Sequence, residues 1–382
     1  MASLANSTLT GGRLAWARGR LNAWRWLVFP VFVFASSRAG ILAVSSWSVR
    51  MDPHFHRTLP PSDFPSFEHL CDWDCEWFTR LAAHGYSEPV DSNFFPLYPI
   101  LGRWFHALTG LPVVWSLVAI ANLAALAALV VIYRLFHELE GEQVAQTALV
   151  LWVAWPFTFF QATGYPESLM VLSTATAIVL ARRGRHLWAG TALGLGVLAR
   201  HLTLVGGPSL VIAQVRQRGI RPRQLIFNWN ILGLLLPFLW GGLYLGFLWM
   251  RFGNPLVFWY ARSQGWGQGA WYGLPAFFTR GPFDLRIWVY VGLSIVPGIG
   301  SVLLFRKRAW LELAGFAATL MAAVWSMGLL GLGRYTGSAW PAFLPFAIWL
   351  SKRPGFSTMV GAAFALLQGL FVYLFTHSYP IN

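Results

Sequence analysis

The chain has 382 residues, of which 56% are hydrophobic and only 11% are charged. A soluble protein carries about 25% charged residues, so this apolar excess exceeds what one globular core holds and needs a lipid bilayer as its solvent. Long continuous apolar runs argue against a β-barrel and predict an all-α polytopic membrane protein. The net charge of +14 does not indicate a nucleic-acid partner, because the basic residues form short clusters between apolar runs.

The basic clusters orient the predicted spans by the positive-inside rule. Residues 1–25 contain four arginines and are predicted to form a cytoplasmic tail. Residues 26–377 then form a single transmembrane domain of about 11 helices, and residues 378–382 form an extracytoplasmic tail. No small-residue cleavage site follows the first apolar run, so we expect a retained span rather than a signal peptide. The sequence thus predicts a multi-pass protein of the cell membrane.

Two predicted spans contain charge. Arg38 lies within the first span, and such a residue is either paired or functional, or it extends toward the interface; the sequence leaves both open. Two apolar segments, 187–199 and 201–215, are divided by Arg200 and His201. Each is shorter than the ~20 residues of a straight crossing, and broken segments occur where they line a cavity. We therefore expect Arg200 to face a cavity on the outer side.

The predicted extracytoplasmic loop, residues 47–111, holds eight of the fourteen acidic residues. Its apolar residues recur at helical spacing over 73–86, which predicts an amphipathic helix that lies flat at the membrane interface and ends at Gly85. Cys71 and Cys75 are close enough in sequence to bond to each other, but two unrelated free thiols are the favoured interpretation.

Polar residues from distant parts of the chain converge on the outer side in this topology. Asp74, flanked by Trp73, is the predicted general base. Glu167, Arg200 and Arg334 add a carboxylate and two guanidinium groups, which bind phosphate oxygens. Ordinary alternatives remain: Glu167 as a helix N-terminal acid, Arg334 with Tyr335 as an interfacial anchor, and Asp72 and Glu76 as solvated charges. The predicted substrate-binding residues are Asp72, Trp73, Trp77, Tyr98, Glu167, Arg200, Gln264, Arg334 and Tyr335.

The chain contains no P-loop and no dinucleotide-binding glycine motif. The histidines and cysteines lack metal-ligand spacing, so no cofactor is predicted and a metal requirement is left open. Nucleotide-linked donors are cytoplasmic, whereas the predicted site is outside. A donor embedded in the lipid, such as a polyprenyl-phosphate-linked sugar, satisfies both observations.

Residues 73–86, with the pattern WDxxWFxxLAxxGY, and 95–99, FPLYP, resemble the first luminal loop of the PIG-V-type GPI mannosyltransferases. That family belongs to the GT-C superfamily of lipid-sugar-dependent glycosyltransferases. Three further elements follow in the family's order: 165–169 (YPESL), 198–200 (LAR) and the pair Arg334–Tyr335.

The resemblance implies a GT-C-like bundle, an extracytoplasmic site, a polyprenyl-phosphate-mannose donor and Asp74 as the base for the acceptor hydroxyl. The short outer loops and high arginine content are typical of a bacterial member, so no GPI acceptor is implied, and His201 departs from the family pattern. The acceptor stays an unidentified glycan, lipid or protein. Two non-enzymatic alternatives are a lipid or sugar transporter and a subunit of an envelope-assembly complex.

Overall fold

The computed structural model describes residues 3–51, 70–219, 229–265, 285–327 and 331–377, with Tyr379 and Ile381. Within these ranges all regular secondary structure is helical. Six helices are long and apolar enough to cross a membrane: Trp26–Ser48, Val113–Glu140, Ile231–Phe252, Leu285–Arg306, Arg308–Ser326 and Pro354–Thr376. The predicted all-α polytopic membrane class is confirmed, while the number of about 11 spans stays a prediction.

The α-helices are numbered in chain order. The first eight are α1 (Ser3–Met51), α2 (Asp74–His84), α3 (Leu97–Thr109), α4 (Val113–Glu140), α5 (Glu142–Ala154), α6 (Glu167–Arg182), α7 (His186–Ala199) and α8 (Gly207–Arg218). The others are α9 (Ile231–Phe252), α10 (Val257–Gly265), α11 (Leu285–Leu303), α12 (Leu311–Met327), α13 (Leu332–Thr336), α14 (Leu344–Leu350) and α15 (Pro354–Thr376). Short 3₁₀ segments at Thr158–Gln161 and His201–Gly206 interrupt the spans next to the site described below.

The predicted break at Arg200 is present. Helix α7 ends at Ala199, Arg200 is extended (φ −158°, ψ 121°), and the 3₁₀ segment His201–Gly206 leads into α8. Pro208 lies in the first turn of α8, where its missing N–H costs nothing. The short helices are tolerated because protein surrounds them.

Helices α7 and α9 cross at two glycines. A Cβ on Gly190 would overlap the backbone of Gly233, and a Cβ on Gly233 would overlap the carbonyl group of His186. Small residues of this kind let membrane helices approach closely and gain van der Waals contact. The crossing therefore fixes α7, which ends at Arg200, against the long span α9.

The predicted interfacial helix has a different position from the one expected. Helix α2 ends at Gly85 as predicted, but its apolar face packs inside the protein, with Phe78 and Leu81 buried. The exposed apolar stripe lies instead on α3, at Ile100, Trp104 and Leu108. Both helices are amphipathic, so periodicity alone could not tell which apolar face meets protein and which meets lipid.

Arg38 points inward. Its Nε donates to Asn122 Oδ1 (2.6 Å) and its Nη2 donates to the carbonyl oxygen of Gln161 (3.0 Å). The guanidinium also lies over the Phe34 ring, 4.6 Å from its centroid. The pairing alternative therefore applies, and Arg38 links α1, α4 and the 3₁₀ segment Thr158–Gln161.

Cys71 and Cys75 form a disulfide, so the interpretation as free thiols was wrong. The reason is local geometry: α2 begins only at Asp74, and the turn before it brings the two Cα atoms to 5.0 Å. This separation lies within the range that a disulfide requires. The bond thus closes a loop directly at the start of α2.

A cluster of charged residues lies at the C-terminal end of α6. Glu312, at the start of α12, is buried and accepts hydrogen bonds from Arg182 Nη1 (2.8 Å) and Arg216 Nη1 (2.7 Å). Arg182 is the last residue of α6 and Arg216 lies in the last turn of α8. Their positive charges near two helix C-termini are favourable, and the shared glutamate joins three helices.

Replacing Gly233 by alanine should lower stability, because the added methyl group overlaps the backbone at His186. Overpacking of this kind costs about 1–3 kcal/mol. Gly242→Ala on the same helix is the matched control, since nothing lies within 4 Å of its Cβ position. Thermal unfolding in detergent should show a lower midpoint for Gly233→Ala alone; equal midpoints would contradict the close crossing.

Candidate active site

Asp74 is the first residue of α2 and lies on the loop closed by the disulfide. Trp73 before it has φ 59° and is the one non-glycine residue with positive φ in the described ranges. Asp74 Oδ2 accepts a hydrogen bond from Arg334 Nη1 at 2.6 Å. The Asp74 side chain is 32% exposed, so one carboxylate oxygen is held by an arginine while the side chain stays accessible.

Glu167 is the first residue of α6 and its side chain is fully buried. One oxygen, Oε1, accepts from both Arg200 Nη1 (2.5 Å) and Arg334 Nε. The positive end of the α6 dipole adds to the stabilisation of this carboxylate. Glu167 does stand at a helix N-terminus, as the ordinary alternative requires, but that alternative does not account for its two arginine partners.

Arg200 reaches this site because the chain is extended between α7 and the next 3₁₀ segment. Its Nη2 donates to the Tyr335 hydroxyl at 2.7 Å, and the guanidinium lies 4.8 Å from the centroid of the same ring. Arg200 thereby connects Glu167 to α13, the short helix that also carries Arg334.

Arg334 occupies the centre of the cluster. Its guanidinium bonds both carboxylates and lies over the Tyr165 ring, 4.3 Å from the centroid. Burial by itself lowers the pKa of Arg334, but the Glu167 and Asp74 carboxylates raise it by a larger amount. The pKa of Arg334 is therefore well above the usual arginine value. Arg334 therefore stays charged at every physiological pH.

The four charged side chains form one continuous network with no net charge: Asp74, Arg334, Glu167 and Arg200. Within the described part of the chain, three of its buried atoms have no hydrogen-bond partner: Glu167 Oε2, Arg200 Nε and Arg334 Nη2. Unpaired buried polar atoms are rare in folded proteins and indicate a role such as ligand binding. The network is therefore a candidate active site.

The other predicted substrate-binding residues are dispersed. Trp73 is 39% exposed beside Asp74, and Trp77 stacks on Phe94 with ring centroids 5.4 Å apart. Tyr98 is fully buried and donates to the Leu117 carbonyl oxygen (2.9 Å), which gives it a packing role under α2. Gln264 lies in α10, but its side chain falls outside the described residues.

The side chain of Tyr165 connects the backbone of Asp72 and Asp74 to the network. The Tyr165 hydroxyl donates to the Asp72 carbonyl oxygen (2.9 Å) and accepts from the Asp74 N–H (3.3 Å). Burial and the nearby Asp74 raise the pKa of Tyr165 well above its usual value, which keeps the hydroxyl protonated. Sequence reasoning assigned no role to Tyr165, although it stands in the same YPE element as Glu167.

No group of three or more histidine, cysteine, aspartate or glutamate side chains in the described ranges is arranged to hold a metal ion. The two acids of the network are each engaged by arginine, which already supplies the positive charge that a metal would bring.

Residues 64–221 match the family described as Mannosyltransferase (PIG-V). The predicted resemblance to the PIG-V family is confirmed. GPI mannosyltransferase 2 of Yarrowia lipolytica is 25% identical over 186 residues, which cover 46% of this chain and 49% of the relative. The chain thus spans about half the length of the curated relative that it matches. Asp74, Glu167 and Arg200 lie within the PIG-V match, whereas Arg334 lies beyond it and joins them through the fold.

The fold resembles that of a solved protein. ArnT from Cupriavidus metallidurans, solved with undecaprenyl phosphate bound, has a TM-score of 0.53 and 14% identity, covering 92% of this chain and 76% of that chain. An oligosaccharyltransferase from Archaeoglobus fulgidus, solved with a tethered acceptor peptide, has a TM-score of 0.48 and 15% identity, covering 90% and 55%. The likeness to ArnT confirms the predicted GT-C-like bundle for this PIG-V-like chain.

Glu167→Gln should destabilise the PIG-V-like protein strongly, because two buried guanidinium groups lose their shared carboxylate. Breaking a buried pair costs about 3–5 kcal/mol. Glu138→Gln is the control: Glu138 also bonds two arginines, Arg134 and Arg183, but at the exposed surface, where a pair contributes about 0–1 kcal/mol. Thermal unfolding of both variants measures the difference, and similar midpoints would refute the buried network.

Proposed function

We propose that the protein is a membrane glycosyltransferase that moves a sugar, mannose, from a polyprenyl-phosphate-sugar donor to an acceptor hydroxyl. The observation that carries this proposal is the network of Asp74, Arg334, Glu167 and Arg200, which joins an accessible carboxylate to two buried arginines. The match to the PIG-V family, whose range 64–221 includes Asp74, Glu167 and Arg200, supports it.

Asp74 is the general base in this proposal. Its Oδ2 is held by Arg334, and no described residue donates a hydrogen bond to its Oδ1. An acceptor hydroxyl that approaches Oδ1 gives up its proton there, and its oxygen attacks the anomeric carbon of the donor sugar. A single displacement of this kind inverts the configuration at that carbon. Arg334 orients the base, because it fixes the carboxylate by a charge-assisted hydrogen bond.

The leaving group is the polyprenyl phosphate. The bond between the anomeric carbon and the phosphate oxygen breaks, and the phosphate takes the electron pair and gains negative charge. Arg200 Nε and Arg334 Nη2 are buried donors without acceptors among the described residues. Such donors, fixed in a water-excluded site, stabilise developing charge without reorganisation. This assigns the predicted phosphate-binding role to the edges of the two guanidinium groups that Glu167 does not use.

We also propose that the site lies on the extracytoplasmic side of the membrane. The positive-inside pattern places the N-terminal tail in the cytoplasm and the Asp74 loop outside. The Cys71–Cys75 disulfide supports this orientation, because disulfides persist in oxidising compartments. An acceptor on that side meets a donor whose sugar lies at the outer surface of the cell membrane.

An apolar groove of about 490 Å³ lies between α2, α7 and α9, and in this proposal it holds the polyprenyl chain of the donor. Leu81 of α2, Leu198 of α7, and Leu243 and Phe247 of α9 line it. Leu198 lies two residues before Arg200, so a lipid chain in the groove leads toward the guanidinium groups. Apolar chains bury favourably there, at about 0.8 kcal/mol per CH₂ group.

Asp74→Asn should abolish transfer while the protein stays folded, since loss of a general base lowers the rate by about 10²–10⁴-fold. Glu76→Gln on the same helix serves as the control and should keep near-normal turnover. The measurement is incorporation of radiolabelled mannose from polyprenyl-phosphate-mannose into a panel of lipid, glycan and protein acceptors. Near-normal turnover by Asp74→Asn would refute the assignment of the base.

Leu243→Trp should fill the groove and weaken the use of long-chain donors. Leu239→Trp is the matched control, because Leu239 lies one turn earlier on α9, is equally exposed at 58%, and does not line the groove. We expect KM for a long-chain donor to rise about tenfold in Leu243→Trp, with little change for a short-chain donor that lacks the distal tail. An equal effect of both tryptophans would show that the groove does not hold the chain.

A further inference from the structure

The disulfide encloses Asp74 in a very short loop. Cys71 and Cys75 are four positions apart, both are fully buried, and Asp74 stands directly before Cys75. In the chain-entropy account, the stabilisation that a disulfide brings to the whole fold grows with the length of the closed loop. A loop this short restrains little of the unfolded chain, so its main effect is on the local geometry around Asp74.

Hydrogen bonds attach this loop to the segment that leads into α6. The Gly164 N–H donates to the Leu70 carbonyl oxygen at 2.9 Å. The Tyr165 hydroxyl bonds the loop twice, at the Asp72 carbonyl oxygen and the Asp74 N–H. Because Tyr165 lies two residues before Glu167, these bonds set the Asp74 backbone relative to the helix that carries Glu167, independently of Arg334.

Gly164 is required by close approach. A Cβ at this position would overlap Cys75 Sγ and would lie 3.3 Å from Cys71 Sγ. Gly164 is not among the described glycines with positive φ, so its backbone conformation is open to other residues. The disulfide therefore rests directly on the Gly164 backbone, in the space where any other residue would place a side chain.

The loop holds Trp73 in an unusual backbone conformation. Trp73 combines φ 59° with ψ −116°, a combination that non-glycine residues rarely adopt. Strained residues persist only where the surrounding structure fixes them, and they cluster at functional sites. The two cysteines lie on either side of Trp73, and the Tyr165 hydroxyl bonds the residues immediately before and after it.

We propose that the Cys71–Cys75 disulfide, resting on Gly164 and Tyr165, is a positioning element that fixes the Asp74 carboxylate for proton removal. This inference rests on the proposed function for its catalytic consequence. Its structural content, a loop held in one conformation by a covalent bond and a glycine contact, stands independently of the reaction. In this proposal Cys71, Cys75, Gly164 and Tyr165 act through Asp74 as positioning residues.

The test compares the double variant Cys71→Ala/Cys75→Ala, the single variants Gly164→Ala and Tyr165→Phe, and the control Gly315→Ala. Gly315 lies on α12, near the C-terminal end of α6; its Cβ would overlap only the flexible end of the Ile212 side chain and would lie at ordinary contact distance, 3.4 and 3.5 Å, from backbone atoms of Ser209 and Pro208. Alkylation of the unreduced wild-type protein under denaturing conditions, where buried thiols become accessible, should find neither cysteine modified by mass spectrometry. Modification of both cysteines would overturn the proposal at once.

Hydrogen–deuterium exchange supplies the readout that needs no activity. Amides of the segment 70–78 should exchange faster in the double variant and in Gly164→Ala, while amides of α12 stay unchanged. Unchanged exchange in 70–78 would overturn the positioning role. If the wild type transfers no sugar from any lipid-linked donor, the proposed function fails, and this exchange comparison still decides the inference.

Turnover supplies the catalytic readout. We expect kcat to fall about 10- to 100-fold in the double variant and Gly164→Ala, the range for a misplaced catalytic group, with KM for the donor within about twofold. In the Asp74→Asn background the same substitutions should cause no further loss. Equal losses in both backgrounds, or loss in Gly315→Ala as well, would show a general structural effect instead. Where the double variant does not fold, Gly164→Ala and Tyr165→Phe, which keep the disulfide, decide the outcome.

Discussion

One buried carboxylate oxygen holds the site together. Glu167 Oε1 accepts from both Arg200 and Arg334, and Arg334 passes the connection on to Asp74. Asp74 and Glu167 each begin a helix, Arg200 lies at the break after α7, and Arg334 lies within the short helix α13, so the pairing joins four separate chain segments. Burying these charges is costly, and only the complete set of partners compensates. The positions of the loop, the broken span and the short helix α13 therefore depend on one another.

The sequence predicted the elements of this site well because their signals are local. A proline, a glycine or a charge within an apolar run marks the start of α6, the end of α2 and the break at Arg200. The acids cluster in one loop and Trp73 flanks Asp74, which singles out this residue, and the predicted topology brings Glu167, Arg200 and Arg334 to the same side of the membrane. The structure brings these four side chains into one network, although their catalytic roles stay proposals.

Three features could not be predicted because they depend on contacts between distant residues. Amphipathic periodicity shows that a helix has an apolar face, but not whether that face contacts protein or lipid. The sequence therefore predicts an interfacial position for α2, whereas the exposed apolar stripe lies on α3. The disulfide depends on the turn that brings Cys71 to Cys75 before the helix begins at Asp74, and the spacing of the two cysteines alone does not reveal this turn. The pairing of Arg334 with Glu167 and Asp74 joins residues whose numbers differ by 167 and 260.

Helix α6 is clamped at both ends by shared glutamates, Glu167 at its start and Glu312 beyond its last residue. At ~1.5 Å per residue, its 16 residues make a strut about 24 Å long. The length of α6 sets the distance between the network around Glu167 at its N-terminus and the cluster around Glu312 at its C-terminus. The distance between the Glu167 network and the Glu312 cluster therefore stays constant as long as both glutamates keep their arginine partners.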